Sequence, residues 1–112
     1  MTRTTTKVAE KALQTQIIEY LRGCGAYVYN AGGSASAAKG TPDLLVCYRG
    51  RFIGLEVKKP KDSYGVTKPQ QMRIAQIRGA DGLAGVVTSI DEVREGVAAI
   101  DIAGGQPRVT RH

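Results

Sequence analysis

The chain has 112 residues, a net charge of +6, 14 glycines, one histidine and no tryptophan. That length fits one domain with a modest core, and no apolar run approaches the roughly 20 residues of a membrane span. The positive charge suits a polyanionic partner, nucleic acid before an acidic membrane surface, although plain solubility also accounts for it.

Residues 1–6 (MTRTTT) read as a frayed leader. They lack the apolar centre of a signal peptide, so a cytosolic protein is expected. Between Lys7 and Arg22 the apolar residues Val8, Leu13, Ile17, Ile18 and Leu21 recur at helical spacing, and Gly23 and Gly25 stop the run. A short strand follows at Ala26–Asn30. Residues Ala31–Lys39 (AGGSASAAK) are small, polar and glycine-containing and read as a mobile loop. The stretch lacks the G-K-[ST] order of a phosphate-binding loop.

Residues Asp43–Arg49 and Arg51–Lys58 read as two strands joined by Arg49-Gly50, a two-residue turn in which Gly50 supplies positive φ. The segment Lys59–Lys68 is a basic connector. Pro69 suits the first position of a second helix, roughly Pro69–Arg78, that Gly79 ends. Leu83–Thr88 is a short apolar strand. Ser89 and Glu92 have the spacing of a capping box and open a third helix to about Ala99. The tail from Asp101 to His112 has no clear period. The order predicts a small α/β domain, a mixed sheet flanked by helices.

Cys24 and Cys47 lack CxxC spacing and read as reduced, packed thiols rather than a disulfide or zinc site. The only histidine, His112, is the last residue, so histidine chemistry is a poor basis for function.

The hairpin carries the chemistry. A two-residue turn at Arg49-Gly50 pairs Tyr48 with Arg51 and, further out, Asp43 with Glu56. Directly opposed residues share a sheet face with Cβ atoms roughly 5 Å apart, and Lys58, two beyond Glu56, joins them. A bulge at Gly54 would shift this register. Two opposed carboxylates repel, and a divalent cation between them resolves the conflict, because Mg²⁺ takes one or two carboxylates and completes its shell with water. Such a metal activates water and polarises a phosphoryl oxygen, with Lys58 placed to orient that water or offset phosphate charge. The plainer alternative is an edge hairpin whose charges face solvent.

Gly40-Thr41-Pro42-Asp43 followed by Glu56-Val57-Lys58 across a hairpin resembles the PD-(D/E)xK nuclease superfamily, and within it the small stand-alone VRR-NUC domains often found in phages. The resemblance spans about residues 8–95 and implies a restriction-endonuclease-like αβββαβ core and a Mg²⁺- or Mn²⁺-dependent endonuclease. By that resemblance Asp43 and Glu56 are metal ligands, the Val57 carbonyl is a backbone ligand and Lys58 is the catalytic lysine. The family's helical glutamate is Glu10 or Glu19. Glu10 shares a face with Leu13, Ile17 and Leu21 and is preferred, with Gln14 one turn on as support; a first-turn carboxylate favoured by the helix dipole is the plain reading of Glu10. The family's helix-opening glutamine is Gln70 or Gln71, and spacing to the Arg78–Gly82 segment favours Gln71. Ile74 stands where the family often has an aromatic.

Lys39, Lys59, Lys61, Lys68 and Arg73 are candidates for contacting DNA phosphates, against the plain reading of a solvated connector. Tyr27, Tyr29, Tyr48 and Tyr64 offer rings for stacking on bases, while Tyr27 and Tyr29, alternating on a strand, equally fit a core edge. The resemblance further implies a homodimer acting on branched DNA such as Holliday junctions, since two symmetric sites suit a two-fold junction. The rival reading is a non-catalytic basic DNA-binding module on the same fold, and a purely structural domain comes third.

Overall fold

The structure is a computed structural model that describes residues 3–60 and 65–104. Helix α1 (Arg3–Gly23) leads into strand β1 (Tyr27–Asn30), a 3₁₀ turn (Ala31–Gly33), β2 (Leu44–Tyr48), β3 (Arg51–Val57), α2 (Lys68–Gly79), β4 (Leu83–Val87) and α3 (Ile90–Ala103). The four strands form one sheet in the order β1-β2-β3-β4. The first two pairings are antiparallel and the β3–β4 pairing is parallel. A parallel neighbour needs a crossover between its strands, and α2 lies in that connection. The α/β class and the mixed, helix-flanked sheet expected from the sequence are what the chain forms. Among the described residues no helix is long and apolar enough to cross a membrane.

Alternation along the strands divides the sheet into two unlike faces. One face carries Val28, Leu44, Val46, Tyr48, Ile53, Leu55, Val57 and Val87, and packs on Ile17 and Leu21 of α1 and on Val93, Val97 and Ile100 of α3. The amphipathic period of α1 buries Ile17 and Leu21 almost completely. The other face meets α2. A Cβ at Gly54 would stand 2.8 Å from Ile77 Cδ1 and 3.1 Å from Pro42 Cγ, so glycine there lets α2 and the Pro42 ring settle on the sheet. Gly54 stays in register with Leu45, and no bulge interrupts the β2–β3 ladder.

The hairpin turn has positive φ at both Arg49 (49°) and Gly50 (80°), the conformation that follows the twist of the flanking strands. Arg49 is the less comfortable of the two in the left-handed region. Its side chain is tied by Nη1 to Asp101 Oδ1 at 3.2 Å, and the Tyr48 hydroxyl donates to the same oxygen at 2.7 Å.

Three expectations about element ends are corrected. Residues Arg3–Thr6 belong to the first turns of α1 rather than to a frayed leader, because a helix anchored by its amphipathic part extends at little further cost. The stretch Ala31–Lys39 begins with the 3₁₀ turn Ala31–Gly33. Helix α3 continues beyond Ala99 to Ala103, where Gly104 caps it at φ 83°. The expected capping residue Ser89 accepts a bond from Glu92 N at 3.2 Å, while the Glu92 carboxylate reaches back to Thr88. Tyr64, Lys61 and the tail from residue 105, with His112, lie outside the described residues.

Candidate active site at the open end of the hairpin

The β2–β3 ladder pairs Leu44 with Leu55 and Tyr48 with Arg51, so the next step outward sets Asp43 opposite Glu56, as the turn arithmetic predicts. Asp43 stands one residue before β2 rather than inside it. Its carboxylate folds onto the partner strand, where Oδ2 accepts from Val57 N–H at 2.9 Å. Its carbonyl is held by two donors of the 3₁₀ turn, Ala31 N at 2.9 Å and Gly32 N at 3.0 Å. A Cβ on Gly32 would come 2.8 Å from Asp43 Oδ1, so glycine permits the turn to close over the carboxylate.

Gly40 opens the Gly-Thr-Pro-Asp segment for a related reason. Its φ of +85° is left-handed, and a Cβ there would collide with the Pro69 backbone at the start of α2. The approach brings the loop before β2 against the first turn of α2, which is where the next functional side chain originates.

Glu56 is 3% exposed, the one buried charged residue among those described. Its Oε2 accepts from Gln70 Nε2 at 2.9 Å and lies 3.9 Å from Lys58 Nζ. Its Oε1 is buried and has no hydrogen-bond partner among the described residues. Burial pushes the Glu56 carboxyl up to about 7, the neighbouring Asp43 charge adding to the rise and Lys58 opposing it. Burial also raises Asp43, against the Val57 N–H bond and the Lys58 charge. Two carboxyls and one ammonium therefore share a poorly hydrated corner.

Gln70, not Gln71, is the glutamine at this corner. Thr67 caps α2 by accepting from Gln70 N at 3.3 Å, and Gln70 Oε1 accepts from Thr67 N at 2.9 Å. With its oxygen engaged in that capping box, the amide turns its NH₂ group to Glu56. Gln71 is exposed and its amide bonds the Val66 carbonyl at 2.9 Å. The signal was present in the sequence as Thr67-x-x-Gln70, a capping box that outranks spacing to the far end of the helix.

Lys58 follows β3, its N–H continuing the ladder to Val87 O at 3.0 Å, and its side chain is 20% exposed. Glu10 faces the sheet end as its helical phase predicts, but Oε2 accepts from Lys59 N at 3.3 Å and so stands beside the pair. Gln14 donates to Asn30 Oδ1 at 2.9 Å and gives Glu10 no support. Among the described residues no three His, Cys, Asp or Glu side chains converge as a metal centre. The expected set of Glu10, Asp43 and Glu56 is present as a pair with Glu10 at its margin.

Of the expected phosphate contacts, Lys39 and Arg73 meet, Arg73 Nε donating to Lys39 O at 3.3 Å. Lys68 is exposed in the first turn of α2 and Lys59 is half-buried. Tyr27 and Tyr29 are exposed, not core edge.

The donors fit a hard divalent cation in chemical type. Asp43 and Glu56 offer oxygens, Glu56 Oε1 lacks a partner, and a cation would offset both the burial and the Asp43 charge that raise Glu56. A scan against protein-family models and searches of curated proteins and of solved structures find no match to this chain.

Proposed function

We propose that the chain is a metal-dependent endonuclease that hydrolyses DNA phosphodiester bonds at the Asp43–Glu56 corner. The observation that carries this reading is the buried Glu56 carboxylate, opposed to Asp43, with one oxygen held by Gln70 and the other without a partner. A structural carboxylate would be satisfied or exposed. Asp43 and Glu56 would hold Mg²⁺ or Mn²⁺, with the Val57 carbonyl as a backbone ligand by resemblance to the VRR-NUC pattern. When bound, the cation supplies Lewis-acid polarisation of a phosphoryl oxygen and lowers the pKa of a water ligand.

The chain's own residues do the rest. Val57 N–H fixes one Asp43 oxygen and leaves the other facing Gly32 and the site. Gln70 sets the rotation of Glu56 from a helix start that is itself capped. Lys58 places an ammonium beside the carboxylates, where it stabilises charge growing on the phosphate. Glu10, bound to the Lys59 N–H, positions the chain that follows Lys58. Lys39, Arg73, Lys59 and Lys68 are assigned to DNA phosphates. The same resemblance leads us to propose a homodimer acting on branched DNA such as four-way junctions.

Cleavage of four-way, flap and linear duplex DNA, compared in Mg²⁺, Mn²⁺ and EDTA for wild type and Asp43→Ala, tests the reading. Metal-dependent cutting by wild type alone is expected. Cutting in EDTA, or by Asp43→Ala, refutes the site. Undiminished binding with no cutting in any metal makes the chain a DNA-binding module.

A further inference from the structure

The sheet face that carries Asp43 and Glu56 is only half covered. Helix α2 lies on its β3–β4 side, and the β1–β2–β3 side presents two further rows. By register these are Tyr29–Leu45–Gly54, next to the carboxylates, and Tyr27–Cys47–Phe52 beyond it. Tyr27 is 69% exposed, Tyr29 47% and Phe52 45%, and Cys47 is exposed and free. A chain with five tyrosines and one phenylalanine thus sets three of those six rings on one open face. Alternation would as readily have put polar residues there, as it does on water-facing sheets.

We infer that this face is a stacking platform for unpaired bases of single-stranded DNA next to the scissile phosphate. Three observations select that occupant. Successive rows on a strand stand about 7 Å apart, comparable with the spacing of nucleotides in an extended strand, so one base on Tyr29 and the next on Tyr27 or Phe52 lead a phosphate to the Asp43–Glu56 row. In the row between, Ile77 and Pro42 cover Gly54, so the track runs along the β1–β2 side, past Tyr29 and half-buried Leu45. The chain carries a net charge of +6, with Lys39, Arg73 and Lys58 at the carboxylate end of the track, which suits a backbone polyanion and disfavours a second basic copy pressed face to face. Aromatic side chains bind every base by its π-face, so the platform reads strandedness and not sequence. The choice of nucleic acid rests on the nuclease reading. Among branched substrates, one with an unpaired segment flanking the cut should therefore be preferred over a fully paired four-way junction.

Binding in EDTA separates this inference from catalysis. The probe is a labelled oligothymidylate, with a blunt duplex of similar length for comparison, followed by fluorescence anisotropy at fixed salt. Wild type should favour the single strand. Tyr27→Leu and Phe52→Leu should each weaken it roughly tenfold, with duplex binding unchanged, and Phe52→Trp should retain it. Excess oligothymidylate should slow alkylation of Cys47. No single-strand preference in wild type, or variants that bind as wild type does, overturns the platform. So does concentration-dependent shielding of Cys47 without DNA, relieved when Tyr27→Leu dissociates a dimer, since that makes the face an interface between copies. A protein that binds the single strand through these rings yet cuts no DNA retains the platform and loses the nuclease. One that cuts but fails these binding tests does the reverse.

Discussion

Replacing Glu56 by glutamine should make the metal-free protein more stable at alkaline pH. The carboxyl is 3% exposed, and burial with the Asp43 charge raises it from 4.5 to about 7. A carboxyl raised on folding binds its proton more tightly in the native state. Its contribution is therefore complete below about pH 4.5 and is lost as pH rises through about 7. At about 1.4 kcal/mol per pKa unit, wild type should lose about 2–3 kcal/mol of stability from this group between roughly pH 5 and 8. Glu56→Gln keeps a neutral side chain, retains an acceptor for Gln70, and should not share that loss. For a domain of this size the difference is a Tm gap of about 10 °C at pH 8 that narrows toward pH 5. Thermal melts by circular dichroism in EDTA, at several pH values, measure it. Mg²⁺ at about one hundred times its Kd should raise wild type by about 3 kcal/mol and leave Glu56→Gln nearly unmoved. Parallel pH profiles for the two proteins would refute the buried, repelled carboxyl on which the site is built.

Lys58→Ala should keep DNA binding within a few-fold and lower turnover by roughly 10²-fold or more, read from single-turnover cleavage against anisotropy; wild-type turnover removes its role. Gln70→Ala should weaken metal activation by about 10-fold or more, seen as a rightward Mg²⁺ activation curve, whereas Gln71→Ala should leave that curve in place. Gly32→Ala puts a methyl 2.8 Å from Asp43 Oδ1, so cutting should fall sharply while the far-ultraviolet spectrum is unchanged; full activity would show that the turn gives way without moving Asp43.

How much of this was legible depends on the range of the interaction. Arg49-Gly50 set the hairpin register, and the register set Asp43 against Glu56, because a two-residue turn allows little freedom between the strands. The helical period put Glu10 on the sheet-facing side of α1, yet its bond to the Lys59 N–H joins residues 49 apart in the chain and no local pattern carries that. Gln71 was preferred on spacing to the helix end, while the Thr67 capping box, a local device, turns Gln70 to Glu56. Helix α3 looked finished at Ala99 because Asp101 and Ile102 do not continue a clear period, but Asp101 is held from outside by Tyr48 and Arg49. Gly54 read as a candidate bulge, and its meaning lay in Ile77 and Pro42 packing over it. Tyr27 and Tyr29 alternate like core-edge residues, and only the position of α2 over the other half of the sheet leaves them open.

Cleavage of a labelled four-way junction by the purified chain, as metal is removed and returned, decides whether the Asp43–Glu56 corner is a metal-dependent nuclease site. Cutting is expected in Mg²⁺ or Mn²⁺, with its loss in EDTA, its recovery when the cation is restored, and none of it with Glu56→Gln. Cutting that persists in EDTA, or a Glu56→Gln protein as active as wild type, would contradict that assignment.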